Sequence, residues 1–419
     1  MEFVIFIRHR FSAQKKGIEG VRNMTKKSRD SYDYDYDYED ERRPRKSSSK
    51  SSGGRYEDER PHKKKKSSAK KKKEQAKKKR RRIVLFIVEI FALVLLVGVL
   101  WVVQQGTKSG KMELDEEKII VNDTVKEKEE TTMKGYRNIA LFGVDSTTGS
   151  LTKDTRSDTI MIASINQDTG ECKLVSVYRD TYLNLSNDTY NKCNGAYARG
   201  GPEMAISMLN LNLDLNITDF VTVGFAGLTD TIDALGGVYI DVKDNEISHL
   251  NNYQLCIADD LKRSYTPVTS SGMQLLDGLQ ATGYCRVRYI SGGDFTRAQH
   301  QREVLQAVAE QAKASPAALP EIATNVFSEV YTSLDLSEII SLLADVTNYS
   351  ITETAGFPRE ENRTTGKLGA KGDCVIPVNL EENVKWLHQF LFNDYEYTPS
   401  AMVQECSRQI EADTGKTLN

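Results

Sequence analysis

Residues 137–178 read RNIALFGVDSTTGSLTKDTRSDTIMIASINQDTGECKLVSVY. Three runs in this stretch, Arg137–Val144, Thr159–Asn166 and Glu171–Tyr178, are short, apolar and rich in β-branched residues, with turn residues between them. QDTG separates the second from the third and reads as a hairpin-like turn. Downstream, Asp219–Phe225 and Gly237–Val242 read as further strands. Helical periodicity runs through Pro202–Leu209, Leu228–Leu235, Gln274–Thr282, Thr296–Ala314, Leu319–Tyr331, Leu336–Thr347 and Glu381–Phe392. Strands alternating with helices predict an α/β fold, a mixed central β-sheet flanked by helices, over residues 136–419. No internal repeat is visible.

Upstream the composition changes. Residues 1–82 hold 29 basic and 13 acidic side chains, a formal +16, whereas the rest of the chain carries −18. That split points to two environments along one chain. Residues 1–82 have too few apolar groups to offset the entropy of ordering and read as a disordered tail. The border is IVLFIVEIFALVLLVGVLWVV (83–103), long enough to cross a hydrocarbon core of about 30 Å as a helix. Its single charge, Glu89, is near one end, and Trp101 is placed where aromatic anchors occur. A buried core helix lacks a preceding globular region to bury it, and a cleaved signal would have a shorter apolar stretch. KKKKSSAKKKKEQAKKKRRR (63–82) abuts the run, so the positive-inside rule puts the tail in the cytoplasm and residues 104–419 outside. Beyond topology, this basic block is suited to anionic lipid headgroups. It lacks the aromatic interleaving of a single-strand binder, so nucleic acid is not expected. Residues 104–135 are polar and read as a stalk. All six cysteines follow the apolar run, which is compatible with disulfides without selecting a pairing, and Cys172 reads as an ordinary buried thiol.

Chemistry concentrates in YCRVRYISGGDFTRAQHQR (284–302). Read as a strand, residues 284–289 put Arg286 and Arg288 on one face. After a Gly-Gly turn comes a helix with Arg297 in its first turn, Gln301 one turn on, and Leu305 and Val308 continuing the stripe into the core. Asp294 is placed to cap that helix or to orient an arginine. Three arginines so spaced favour a phosphate-type anion over solvated ion pairs. Asp145 follows one strand and Asp158 precedes the next; together they would suit Mg²⁺, though on spacing alone turn capping is the ordinary reading. Arg179 ends a third strand, with Lys192 and Asn194 after it. There is no Walker sequence and no GxSxG, and the five histidines lack a metal-ligand spacing, which disfavours a zinc hydrolase.

In order, GVDS, RSDTIMIASIN, KLVSVYRDTYLNL, KCNGAYARGGPEMAISML, VTVGFAGLTDTIDALGGVYIDV, LLDGLQATGYCRVRY and GDFTRAQHQREVL closely resemble the LytR–CpsA–Psr family of bacterial cell-wall proteins. The resemblance covers about residues 136–315, and the tail and apolar run in front also look like that family. It implies transfer of an undecaprenyl-pyrophosphate-linked glycopolymer (wall teichoic acid, capsule or similar) onto peptidoglycan as a phosphodiester. By match to the family's motifs, Asp145 and Asp158 would hold Mg²⁺, with Mn²⁺ also accepting such oxygen ligands. Arg156, Arg179, Arg286, Arg288 and Gln301 would contact the pyrophosphate, and Asp294 and Arg297 would complete the site by hydrogen bonds. A polyprenyl tail needs an apolar channel, for which helices 202–209 and 228–235 are candidate walls. Cys193 and Cys285 stand where the family pattern leads one to expect aliphatic residues, which suggests an oxidation-sensitive or disulfide-braced site. Two other readings remain open, a non-catalytic polyprenyl-phosphate or wall-polymer binding protein and a membrane-tethered regulator (transcriptional attenuator).

Overall fold

In the computed structural model, which describes residues 110–145, 151–152, 155–316, 319, 322 and 326–417, the first element is β1 (Gly110–Lys111), followed by α1 (Asp123–Lys128). β1 pairs with a later strand, and Val125 and Met133 are almost fully buried. From Gly110 onward the segment expected to be a stalk is therefore part of the fold. Its apolar residues are too sparse to show a period, but Met112, Leu114, Ile119, Val121, Val125 and Met133 dock on the core. The tail and the apolar run 83–103 lie outside the described residues, among which no helix is long and apolar enough to cross a membrane.

The quoted stretch forms the centre of the sheet. β2 (Tyr136–Val144), β3 (Ser157–Asn166) and β4 (Glu171–Val177) pair antiparallel in succession. Gly170, at φ +75°, closes the expected hairpin turn, and Asn166 Oδ1 accepts bonds from the amides of Asp168 and Thr169. β7 (Asp219–Val223) lies parallel to β2 on its other side; β10 (Val330–Thr332) and β1 extend that edge, and β11 (Ser350–Phe357) runs parallel to β4 at the opposite edge. The order β1-β10-β7-β2-β3-β4-β11 is the mixed sheet expected from the sequence. Two hairpins lie outside it, β5 (Tyr182–Asn184) with β6 (Tyr190–Lys192) and β8 (Val238–Val242) with β9 (Gly272–Leu276). A third pairs β12 (Arg363–Lys367) with β13 (Asp373–Pro377).

Helices cover both faces, and for that reason the central strands are apolar without strict alternation. On one face Ala140, Phe142, Ile160, Ile162 and Val175 pack against α2 (Asn194–Leu213), α8 (Leu380–Phe392) and α9 (Ala401–Thr414). On the other lie α3 (Phe225–Ala234) and α6 (Asp294–Ala314), joined by α4 (Asp244–Leu261) and α5 (Gly278–Tyr284). A short α7 (Leu336–Ala344) follows β10. α2 belongs to the first face, so helix 202–209 does not wall a channel on the second. It also starts earlier than expected, because Gly201 at φ +66° absorbs a break just before Pro202 inside one longer helical segment.

Three expected elements are corrected. The helix expected over 274–282 divides into β9 and α5, because Asp277 accepts from the Gln280 amide while Gln280 Oε1 accepts from the Asp277 amide. This capping box starts a helix four residues later than the apolar period suggests. The strand expected at 284–289 is instead the end of α5 and a turn, held by Arg286 N to Gly283 O and Val287 N to Tyr284 O, both 3.1 Å. Leu319 and Ile322 are buried within the expected helix 319–331, but that stretch ends as the strand β10.

His388 of α8 is fully buried, stacks on Tyr397 with ring centroids 3.5 Å apart, and bonds Leu213 O through Nε2 at 3.1 Å. Burial pushes its pKa down from 6.5 to about 4. Between those values the unfolded chain binds a proton that the native ring refuses, so stability should fall as pH drops from 6.5 toward 4. Melting temperatures across this window check it, with a shallower slope expected in His388→Asn.

Candidate functional site

Between the second face of the sheet and the helices above it lies a cavity of about 320 Å³. Its floor is set by register. Thr159 of β3 and Val223 of β7 both pair with Gly143 of β2, one on each side, and the three form an outer row. Met161, Leu141 and Val221 form the next row inward. Phe225, Leu228 and Thr231 of α3 and Val304, Leu305 and Val308 of α6 wall it. α3, which holds all but the last residue of the 228–235 stretch read as helical, and α6, which contains 296–314, do bound this apolar space.

Charged groups gather at the end carrying the outer row, around Asp145 and Asp158. Gly143 pairs with Thr159 and Val144 with Ser157, which leaves Asp158 as the extra residue of a bulge beside the end of β2, where Asp145 follows Val144. Arg286, Arg288, Arg297 and Gln301 line the same cavity. Asp294 joins from the first turn of α6, where the N-cap is Gly293, so Asp294 orients arginines rather than capping the helix.

The arginines divide into two kinds. Arg179 is clamped, with Nη1 2.9 Å from Asp158 Oδ1, Nε 2.9 Å from Asp294 Oδ2 and Nε 3.5 Å from Asp180 Oδ2. Burial alone would lower its pKa, but the charges of Asp158 and Asp294 outweigh that and leave it raised. Arg297 is nearly buried, shares Asp158 and Asp294 at 3.9 and 3.4 Å, and donates to Asp158 O at 3.3 Å. Burial and then the charge of Arg179 hold its guanidinium below the ordinary range, and its Nε has no hydrogen-bond partner among the described residues. Arg286 and Arg288 are held differently. Arg286 lies over Phe225 and Tyr253, 4.5 and 5.2 Å from the ring centroids, and its only carboxylate contact among the described residues is Asp145 at 3.8 Å. Arg288 donates to Tyr289 OH at 3.1 Å and has no carboxylate partner among the described residues. Stacked guanidinium groups keep their charge and most of their donors free for an anion.

Arg156 is exposed just before β3, outside the cavity lining, with no ion pair among the described residues. Lys192 binds Asp180 at 3.0 Å, and Asn194 is buried at the start of α2. Gln301 Nε2 reaches Cys285 O at 3.4 Å. All six cysteines are free thiols, so no disulfide braces the site. Cys193 is buried against the carbonyls of Tyr178 and Arg179, and burial pushes the Cys285 thiol up to about 12. Neither is poised as a thiolate. Phe225 and Tyr253 were not singled out in the sequence; Tyr253 lies on α4, a helix the periodicity did not reveal.

Residues 98–368 match the LytR_cpsA_psr family. The chain belongs to this family. Polyisoprenyl-teichoic acid–peptidoglycan teichoic acid transferase TagU of Enterococcus faecalis is 29% identical over 212 residues, 50% of this chain and 65% of the relative. The chain thus spans just under two thirds of that protein. TagU of Oceanobacillus iheyensis is 31% identical over 264 residues, 61% of this chain and 72% of the relative. Among solved structures, one of Enterococcus faecalis titled a transcriptional regulator superposes with a TM-score of 0.53 at 22% identity, over 69% of this chain and 98% of that one. The mixed α/β architecture is therefore the fold of a LytR–CpsA–Psr protein.

Proposed function

We propose that this protein is a membrane-anchored transferase that attaches a polyprenyl-pyrophosphate-linked glycopolymer to peptidoglycan through a phosphodiester bond, from the outer side of a bacterial membrane. The observation that carries this reading is an apolar cavity with two arginines, Arg286 and Arg288, whose charge the described carboxylates do not tightly neutralise. One end suits a hydrocarbon tail and the other a pyrophosphate. The names of the relatives support the chemical class.

In the reaction, an acceptor sugar oxygen bonds to the polymer-bearing phosphorus while the bridging P–O bond breaks, leaving polyprenyl phosphate and releasing the hydroxyl proton. Such a step needs placement and charge neutralisation more than a covalent nucleophile. Arg286 and Arg288 would bind the pyrophosphate, with Gln301 and the exposed Arg156 as further contacts. Arg179 and Arg297, clamped by Asp158 and Asp294, fix the rim. Asp145 and Asp158, brought to one rim by strand register, fit Mg²⁺ or Mn²⁺, which commonly takes one or two carboxylates and completes its shell with phosphate oxygens. When bound, the ion would supply charge neutralisation. A wall-polymer binding protein without catalysis is the second reading, favoured by the way arginines already engage both carboxylate oxygens of Asp158.

The test incubates the full-length protein in detergent with a lipid-pyrophosphate glycan and peptidoglycan fragments, with and without Mg²⁺, and detects the phosphodiester product by mass spectrometry. Metal-dependent product should fall at least about a hundredfold in Arg288→Ala, the size of effect seen when a donor to developing charge is removed. Lipid binding that needs Arg288, without product, would favour the binding protein; product unchanged in the variant would overturn the site.

A further inference from the structure

α6 has a second functional face. Arg297, Gln301, Val304 and Val308 follow one another along the arginine cavity, whereas Gln299, Glu303, Gln306 and Glu310 form a stripe on another side of the helix. That stripe lines a groove of about 720 Å³, closed by β8 and by the N-terminal turn of α4. Its electrostatics are the inverse of the cavity's. Asp241, Glu246, Glu303 and Glu310 line it; among the described residues Lys243 is paired with Asp241 and Lys313 reaches Glu310 at 2.8 Å, which leaves the acidic groups in excess. A polyanionic donor polymer would be repelled here.

What the lining offers is suited to hydroxyl and acetamido groups. Gln299, Gln306 and Gln311 supply amides, and the carboxylates accept from hydroxyls. Tyr239 stands 60% exposed at the edge, a flat apolar surface with a polar tip. Deeper in, the polar groups are already ordered: Tyr284 donates to Glu303 at 2.8 Å, Gln299 donates to Glu303 at 2.9 Å, and His300 Nε2 lies 3.1 Å from Glu246 Oε1. Glu246 in turn accepts from the Lys243 amide and fixes the start of α4. His300 is only 3% exposed, yet its Nδ1 has no hydrogen-bond partner among the described residues. A buried polar atom left unpaired is costly, and a ligand hydroxyl in the groove would relieve that cost.

We propose that this groove binds a neutral oligosaccharide, with Tyr239 stacking on a sugar ring and Gln299, Glu303 and His300 bonding its polar groups. Its role as the site for the acceptor glycan strand rests on the transferase reading above. In that role one helix serves both substrates, the anionic donor on its arginine side and the neutral acceptor on its acidic side.

The test is calorimetric titration of the full-length protein in detergent with a β-1,4-linked tetramer of N-acetylglucosamine and, separately, with inorganic pyrophosphate. The tetramer should bind, and Tyr239→Ala and Gln299→Ala, both at exposed positions, should each weaken it at least about tenfold while pyrophosphate binding stays unchanged. Arg288→Ala should do the reverse. Absence of tetramer binding, equal affinity in the groove variants, or displacement of the tetramer by pyrophosphate would overturn the inference. The two readings fail independently. If the tetramer depends on Tyr239 but pyrophosphate does not bind, the donor site is wrong and the groove stands.

Discussion

Asp158→Asn is expected to abolish transfer, by a factor of about a thousand, and to lower stability by about 1–3 kcal/mol. The reason is the number of groups that depend on one carboxylate. Oδ1 accepts from Arg179 at 2.9 Å, Oδ2 faces Arg297 at 3.9 Å, and Asp294 is the other carboxylate shared by the same two arginines. Without the Asp158 charge, two partly buried guanidinium groups would share mainly Asp294. Arg297 is already held below its ordinary range by burial and by Arg179, so its position would suffer most. Asp145→Asn is the control. Asp145 is exposed, and among the described residues its carboxylate has one ion-pair partner, Arg286 at 3.8 Å, so its loss should remove metal-dependent transfer and leave the melting temperature within a degree or so. Thermal melts and product assays on both variants, over a range of Mg²⁺ concentrations, separate clamp from metal. A full-activity Asp158→Asn enzyme would show that the arginine clamp has no part in catalysis.

Much of this arrangement was legible in residues 137–178, because apolar runs with turn residues between them leave few alternatives to a central sheet. The rim was legible for a related reason: Asp145 and Asp158 flank strands, and strand ends adjoin. Less legible was anything set by tertiary contact. Residues 284–289 alternate like a strand, yet the capping box at Asp277 starts a helix that runs into them and ends in a turn. Arg286 and Arg288 still reach the same cavity, since Val287 between them is buried in the core beneath. The neighbours that hold Arg286, Phe225 and Tyr253, come from two other helices and carry no local signal. Nor did spacing separate clamped arginines from open ones; that distinction lies in how many carboxylates the fold gathers around each guanidinium, with Asp158 and Asp294 shared by Arg179 and Arg297 and Asp145 alone near Arg286. The 110–134 segment looked like a stalk because a strap that docks on an existing surface needs only a few anchors, such as Val125 and Met133.

Val221→Trp should uncouple the two ends of the cavity. Val221 belongs to the inner row with Leu141 and Met161, one step away from the row that meets Asp145 and Asp158. A tryptophan built from a central strand would occupy a large part of a space of about 320 Å³, starting one row in from the charged rim. If that space holds the lipid tail, the variant loses apolar burial worth about 0.8 kcal/mol for each CH₂ that can no longer enter. A few isoprene units excluded amount to a loss of at least about a hundredfold in affinity for a polyprenyl pyrophosphate, while inorganic pyrophosphate binds as before. Overpacking is expected to cost about 1–3 kcal/mol of stability, which a melt measures separately. Titration with the two ligands therefore reads the tail alone. Equal losses for both would mean that the tryptophan has disturbed the rim. No loss for either would place the hydrocarbon elsewhere, and the apolar rows on β2, β3 and β7 would then be packing surface with no role in binding.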